Sequence, residues 1–237
     1  MNGLLLLTTD TRHHRYLANR IRDAGLDLTD VLFETVPVEA PFPVGPLFEA
    51  EQDGFEAARF TGDMTWDRFH TQRTADFNSA EAAALIRRAG ATLGIVFGAR
   101  RLSPATLALF PDGLVNVHRG IAEEYRGLDS DLWAIYHRDY RNLGVTLHMV
   151  AADLDAGDIV AERRLSLTRD MRCHHLRYHT TVIATDLMIE TLRRFRSGEA
   201  RRRPQARRGR SYSFMPLELK RIVARRFDRH CEALGDA

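Results

Sequence analysis

The sequence has almost no lysine, because Lys220 is the only one among its 34 basic residues and all the others are arginine. We attribute this bias to a GC-rich genome rather than to phosphate binding. Its two cysteines, Cys173 and Cys231, are too few for a disulfide framework and are typical of a reducing compartment. No apolar run approaches the ~20 residues of a membrane-spanning helix, and residues 1–7 lack the basic start of a signal peptide. We therefore predict a cytoplasmic protein without a membrane segment.

The length and the charge distribution predict one main domain with an appendage. The 237 residues, 28% charged and 44% hydrophobic, suffice for one substantial core. The formal charge of +2 hides an asymmetry, since residues 191–237 hold 14 basic and five acidic residues and the rest of the chain is acidic. We predict a catalytic domain over residues 1–197 and a basic C-terminal extension over residues 198–237.

Short apolar runs alternate with amphipathic segments along most of the chain. The runs typical of buried strands are residues 3–8, 30–36, 92–98, 113–118, 144–150 and 158–167. The predicted helices are residues 11–24, 80–89, 103–110, 131–137, 171–196 and 217–227. Residues 38–47 contain three prolines and predict a loop, whereas the polar residues 48–74 are only weakly helical. This alternation predicts an α/β, Rossmann-like fold with a mainly parallel sheet, helices on both faces and a short C-terminal extension.

Polar side chains near the ends of the predicted strands are the candidates for chemistry, because ligands of such sheets bind there. Asn116 and His118 alternate at the end of one strand and therefore share a face. Asp155 follows in a turn between two later strands. A carboxylate can tune an imidazole, and an amide N–H can stabilise an oxyanion. Since no Ser or Cys nucleophile accompanies them, direct group transfer fits better than a covalent intermediate.

The stretch from Gly94 to Val160 resembles the folate-dependent formyltransferases. The resemblance is carried by the order and spacing of several short motifs: Phe97-Gly98, Arg100-Arg101-Leu102-Ser103-Pro104, Asn116-x-His118, Tyr125-Arg126-Gly127, Gly144-Val145-Thr146-Leu147-His148 and Leu154-Asp155-x-Gly157-Asp158-Ile159. Each motif alone is weak, but together they cover about seventy residues in the family's order.

The resemblance implies a formyl transfer from N10-formyltetrahydrofolate to an amine. Asn116, His118 and Asp155 match the family's catalytic residues: His118 would polarise the formyl group or accept the amine proton, and Asn116 would stabilise the oxyanion. Asp155 would set the protonation state of His118 and help to order a water. The positions that match the pterin pocket are Arg100, Leu102 and Leu107, with Asp155 beside them, and His148 matches a supporting position.

Two other segments are candidates for acceptor binding. Tyr125, Arg126 and Gly127 match a site-forming segment of the family, although the loop before them, residues 119–124, lacks the two prolines and the serine usual in that family. Arg12 and His13 open the first helix, where an anionic substrate group would also feel the helix dipole.

Among the formyltransferases, the chain is most similar to the bacterial nucleotide-sugar N-formyltransferases. Methionyl-tRNA formyltransferases carry a longer C-terminal part, and formyltetrahydrofolate hydrolases carry an additional N-terminal domain. Glycinamide-ribonucleotide transformylases hold a phosphate in a glycine-rich first turn, which is residues 8–12 here and contains no glycine. We expect a nucleotide-linked amino sugar as acceptor. The alternatives are another small amine such as glycinamide ribonucleotide, or a non-catalytic α/β module with a basic RNA-binding tail.

Three further expectations concern metals and partners. His175 and His179 have helical i, i+4 spacing near Cys173, but they lie where a helix should pack on the sheet, so we expect no metal site. The basic tail contains no nucleic-acid-binding module, so we do not expect nucleic acid as a partner. The amphipathic last helix could instead form a homodimer contact.

Overall fold

The apolar runs of the sequence form the strands of a central sheet. In this computed structural model, residues 3–151 and 153–235 are described. The strands are β1 (Leu4–Thr8), β2 (Leu28–Glu34), β3 (His70–Thr74), β4 (Leu93–Phe97), β5 (Gly113–His118), β6 (Tyr125–Gly127), β7 (Gly144–Met149), β8 (Ile159–Arg164) and β9 (Arg210–Tyr212). The helices are α1 (Arg12–Asp23), α2 (Glu49–Arg59), α3 (Ala80–Ala89), α4 (Pro104–Leu107), α5 (Ser130–Tyr136), α6 (Leu176–Ser197) and α7 (Leu217–Glu232), with 3-10 turns at Tyr140–Asn142 and Cys173–His175.

Seven strands form the main sheet in the order β3-β2-β1-β4-β5-β7-β8. The first five strands in this order are mutually parallel. β7 runs antiparallel to β5, and β8 runs antiparallel to β7. The predicted mainly parallel, Rossmann-like sheet is therefore confirmed.

Helices cover both faces of this sheet. On one face, α1 and α6 bury Leu17, Ile21 and Met188 against alternate residues of the strands. On the other face, α3 and α4 pack around Ile86 and Leu107. Burying one apolar side chain of this size contributes about 1.5–3 kcal/mol to the free energy of unfolding. The two apolar layers are therefore a main source of the stability of the fold. The prediction of helices on both faces is confirmed.

The residues after α6 fold back onto the body of the protein. α6 ends at Ser197, and Gly198 caps it in the left-handed conformation. β9 then pairs in parallel with β6 in a small second sheet. α7 packs on α5 in a third apolar cluster, in which Phe227 is fully buried. Phe227 is therefore not available for a dimer contact. The homodimer and the division at residue 197 stay predictions.

Two elements lie in residues 48–74, for which the sequence carries no firm prediction. α2 is a polar helix in which Glu56 is buried. β3, with the sequence HTQRT, forms the edge of the sheet and pairs only with β2. Because an edge strand leaves one side exposed, it needs no apolar run, and its pattern is therefore weak.

Candidate functional site

The alternation of β5 and β7 brings three polar side chains to one face of the sheet. Val115 and Val117 belong to the apolar layer beneath α1 and α6. Asn116 and His118 therefore project from the opposite face. In the antiparallel pairing of β5 with β7, Asn116 lies directly opposite His148. The predicted supporting residue is thus a cross-strand neighbour of a predicted catalytic residue.

Asp155 reaches this group from the loop between β7 and β8. Its backbone has φ 48°, the left-handed region that non-glycine residues adopt rarely and Asp more readily than most. Its Oδ2 accepts a 2.7 Å hydrogen bond from the N–H of Gly127. Two residues later, a Cβ at Gly157 would collide with the Met149 carbonyl, so this tight loop requires glycine there.

His118 is buried between two hydrogen-bond acceptors. Its Nε2 lies 2.8 Å from the carbonyl oxygen of Tyr125 and donates to it. Its Nδ1 lies 3.4 Å from Oδ2 of Asp155. A neutral imidazole has only one N–H, whereas the imidazolium has two. His118 can therefore take up a second proton, because an acceptor for each of its two N–H groups is already in place.

The Asn116 amide links His148 to Asp155. His148 Nδ1 donates to the Met149 carbonyl at 2.8 Å, and its Nε2 lies 3.2 Å from Oδ1 of Asp155. The Asn116 Nδ2 lies 3.0 Å from that Nε2 and 3.4 Å from Oδ1 of Asp155. Asn116, His148 and Asp155 thus contact one another in a closed network. This network fixes the orientation of the carboxylate toward His118.

Burial and ion pairing shift the pKa values of His118 and Asp155 in opposite directions. Burial lowers the pKa of His118 below its usual value, and the charge of Asp155 opposes that shift. Burial would raise the pKa of Asp155, but His118, His148 and the Gly127 N–H together hold it well below its usual range. Asp155 is therefore a carboxylate, and His118 is available as a neutral base near pH 7.

A cavity of about 240 Å³ opens beside these residues. Asn116, His118, His148 and Asp155 are among its polar lining residues, together with charged side chains such as Arg100 and Asp131. Leu128 and Leu154 line it while remaining 40% and 45% exposed. The cavity therefore combines a deep polar end with an apolar entrance, as ligand pockets commonly do.

The structure separates the residues predicted to bind the folate. Arg100 and Leu102 line the cavity beside Asp155. The Nε of Arg100 lies 3.0 Å from Oε1 of Glu34, a buried residue at the end of β2. Leu107 instead packs in the apolar layer under α3 and α4 and is not among the cavity-lining residues described. The role of Leu107 stays a prediction, and Glu34 is a contact that the sequence pattern did not reveal.

The segment predicted to bind the acceptor forms β6, and its residues face different ways. Gly127 lines the cavity. The Tyr125 hydroxyl donates to Oδ2 of Asp139 at 3.2 Å, away from His118, and burial raises its pKa to about 12. Arg126 is buried and donates to the Leu154 carbonyl. The segment therefore contacts His118 and Asp155 through its backbone, and its part in acceptor binding stays a prediction.

Arg12 and His13 lie at the start of α1, outside the residues that line this cavity. His13 is buried, and its Nδ1 has no hydrogen-bond partner among the described residues. Burial first, and then the charge of His14, lower its pKa well below the usual value. Acceptor binding by these two residues stays a prediction.

Neither a metal-binding group of side chains nor a membrane-spanning helix is found among the described residues. Within residues 3–151 and 153–235, no group of three or more His, Cys, Asp or Glu side chains is arranged to hold a metal ion. His175 instead stacks on Phe55 with ring centroids 3.7 Å apart. No helix in the same ranges has both the length and the apolar composition needed to cross a bilayer.

Two solved structures share this fold. A 4-N formyltransferase from Francisella tularensis is 15% identical, with a TM-score of 0.63 over 94% of this chain and 87% of that chain. The formyltransferase PseJ from Anoxybacillus kamchatkensis, solved with UDP-4,6-dideoxy-4-formamido-L-AltNAc and tetrahydrofolate, is 17% identical, with a TM-score of 0.56 over 89% of this chain and 86% of that chain. At these identities the likeness establishes the fold.

Sequence comparisons assign the family. The methionyl-tRNA formyltransferase of Solibacter usitatus is 29% identical over 119 residues, which are 50% of this chain and 38% of that protein. The chain thus matches well under half of that relative's length. The family model described as Formyl transferase matches residues 39–192, more than half of the chain. The resemblance found in the motifs is confirmed, and the chain belongs to the formyl transferase family.

Proposed function

We propose that the protein transfers the formyl group of N10-formyltetrahydrofolate to the amine of a nucleotide-linked amino sugar. One observation carries this proposal. In a chain of the formyl transferase family, His118 lies buried between the Asp155 carboxylate and the Tyr125 carbonyl at the polar end of a cavity. That arrangement suits a reaction in which a proton must leave an attacking amine.

The proposed chemistry assigns one task to each catalytic residue. The acceptor amine attacks the formyl carbon, and the carbonyl oxygen becomes an oxyanion. His118 takes the proton that the amine loses, because the second N–H then donates to an acceptor already in place. Asn116 gives up its longer contact, to Asp155, and donates to the oxyanion. Collapse of the tetrahedral intermediate breaks the bond to N10 and releases tetrahydrofolate, whose N10 takes up the proton that His118 accepted.

The co-substrate fits the cavity on chemical grounds. The family and the tetrahydrofolate bound to PseJ support a folate donor. The apolar entrance formed by Leu128 and Leu154 suits an aromatic portion of the folate. The part of the lining formed by Arg100 and Leu102 suits the polar edges of the folate ring system. We propose Arg100, Leu102 and Asp155 as folate-contacting residues, with Leu107 supporting them from the layer behind.

The choice of acceptor rests on the solved relatives. PseJ was crystallised with a UDP-linked formamido sugar, and this chain aligns with 86% of PseJ. We therefore place nucleotide-linked amino sugars first among the acceptors. Arg12 and His13 at the α1 N-terminus remain proposed contacts for an anionic group of the acceptor.

The test is an acceptor panel assayed with N10-formyltetrahydrofolate. The wild-type protein is incubated with UDP- and dTDP-linked 4-amino sugars, glycinamide ribonucleotide and methionyl-tRNA, and products are identified by mass spectrometry. We expect one formyl group to be added to an amino sugar. Formylation of methionyl-tRNA or glycinamide ribonucleotide alone would refute the proposed acceptor but keep the formyl transfer.

A binding measurement separates an enzyme from the non-catalytic alternative. 5-Formyltetrahydrofolate should raise the melting temperature of the wild-type protein, because a ligand that binds only the folded state stabilises it. An unchanged melting temperature, together with salt-dependent binding to RNA, would instead favour the RNA-binding module.

A further inference from the structure

Residues 203–212, called the strap here, lie across the loop that follows His118 and the loop that carries Asp155. Arg203 pairs through its backbone N–H and carbonyl with Ile159 at the start of β8. At its other end the strap contains β9, which pairs with β6. A Cβ at Gly127, which has φ 86°, would collide with the Tyr212 carbonyl, so β6 and β9 approach closely at this glycine.

The strap is tied to the loop that follows His118. Two guanidinium nitrogens of Arg203 lie 2.9 and 2.8 Å from the two carboxylate oxygens of Glu123. The N–H of Ala206 donates to the same carboxylate at 2.5 Å. These contacts, with that of Arg203 first, lower the pKa of Glu123 to about 2. Glu123 and Arg203 therefore form a bidentate ion pair that fixes the strap beside residues 119–124.

The strap is also tied to the Asp155 loop, by an exposed ion pair of Arg208 with Asp153 and by the side chain of Gln205. The Gln205 Nε2 donates to the carbonyl of Asp155 at 2.7 Å and to the carbonyl of Gly157 at 2.9 Å. Both amide hydrogens of Gln205 are thus used on the two carbonyls that flank Ala156. A side chain with two N–H donors on one nitrogen is needed to bridge them in this way.

Asp155 depends on such support because its backbone conformation is uncommon. A left-handed non-glycine residue of this kind persists when surrounding contacts hold it. Gln205 holds its carbonyl, and the Gly127 N–H, placed by the pairing of β6 with β9, holds its carboxylate. The strap therefore acts on both ends of the residue that faces His118.

We propose that Gln205 is a positioning residue, which holds the Asp155 loop so that the carboxylate faces His118 during formyl transfer. This inference rests on the proposed function. It makes part of the basic extension a component of the active site, although no strap side chain needs to touch the substrates.

The test compares Gln205→Ala and Gln205→Glu with the control Arg201→Ala. Arg201 is exposed just before the strap, and its side chain makes no described contact with the Asp155 loop. Glu keeps the length of Gln but cannot donate to two carbonyls when ionised. We expect kcat to fall about 10–100-fold in both Gln205 variants, because small misplacements of a catalytic group have effects of this size. KM for both substrates and the melting temperature should stay near the wild-type values, and Arg201→Ala should behave as wild type.

Amide hydrogen exchange of residues 153–158 gives a readout that does not need activity. We expect faster exchange there in both Gln205 variants and no change in Arg201→Ala. An unchanged exchange rate, or a lower melting temperature with an unchanged kcat, would overturn the positioning role. If the wild-type protein formylates no acceptor, the proposed function fails, and the exchange rates still decide whether Gln205 holds the loop.

Discussion

Two regions of the molecule each bury a histidine beside the carboxyl ends of the central strands, and their surroundings differ. His14, on α1, donates from Nδ1 to the Thr9 carbonyl at 2.9 Å and packs on the ring of Phe97. No carboxylate forms an ion pair with it among the described residues. His118, on β5, faces Asp155 at 3.4 Å and lines the cavity.

This difference explains why only one of the two histidines is suited to proton transfer. Burial lowers the pKa of His14 to about 4, so it stays neutral through the physiological range. Burial also lowers the pKa of His118, but the charge of Asp155 opposes this and stabilises the imidazolium once it forms. We therefore expect His14 to have a structural role, and the pairing with Asp155 supports the proposal of His118 as the base.

The largest effect is expected from the substitution that removes the proposed base, His118. His118→Ala should lower kcat by ~10²–10⁴-fold, the range typical of general acid–base catalysis. His14→Asn, which can retain the hydrogen bond to Thr9, should leave kcat close to wild type. Steady-state formylation assays on folded protein, verified by circular dichroism, measure both. Equal losses in the two variants would remove the distinction between the histidines.

Asp155→Asn should have the next largest effect, a loss of ~10²–10³-fold in kcat. The amide keeps the size of the carboxylate but cannot stabilise the imidazolium by charge. Asp23→Asn is the matched control, because Asp23 pairs with Arg68 at the end of α1 and lies outside the residues that line the cavity. The same assay compares them, and near-normal turnover in Asp155→Asn would show that the carboxylate is not needed.

The stability of the protein should depend on pH through His14. Since its folded pKa of about 4 lies below the ordinary value of about 6.5, the unfolded chain binds the proton more tightly. Its contribution is present above pH 6.5 and is lost as the pH falls toward 4, by up to about 3 kcal/mol.

Urea unfolding at pH 7.5 and pH 4.5 measures this contribution. The decrease in the free energy of unfolding should be smaller in His14→Asn than in wild type. His70→Gln is the control, because the His70 side chain is 84% exposed. Identical pH dependence in wild type and His14→Asn would contradict the assignment of His14 as a buried neutral residue.

The smallest effect is expected at Glu34, which contacts Arg100 at the cavity. Glu34→Gln removes the charge that holds the guanidinium while keeping the size of the side chain. We expect KM for the folate to rise about threefold to tenfold, or about 1 kcal/mol, with little change in kcat. Glu39→Gln, at an exposed position on the following loop, is the control. A fall in kcat without a change in KM would place Arg100 in another role.

Most of the sheet could be predicted from the sequence, because its central strands are short apolar runs and this pattern is typical of buried strands. β5 has the predicted bounds. The helix predicted over residues 171–196 forms α6, but a 3-10 turn at Cys173–His175 precedes it. β3 escaped prediction because it is polar and lies at the edge. β6 and β9 have three residues each, too few for any periodicity.

The candidate site was predictable where it rests on strand alternation and motif order. Asn116, His118 and Asp155 come together as the motifs indicate. The contacts of Glu34 and Gln205 were not predictable, because each joins residues that are distant in sequence and depends on the completed fold. Leu107 matched a family position but packs in the layer behind the cavity.

The most direct test of the account is the pH dependence of kcat/KM for formyl transfer in wild type and Asp155→Asn. If His118 is the base, activity is lost at low pH as His118 becomes protonated, below about pH 6.5. Because the Asp155 charge raises the pKa of His118, the acid limb should move to lower pH in Asp155→Asn, at a reduced maximum rate. An acid limb at the same pH in both proteins would contradict the coupling of His118 to Asp155.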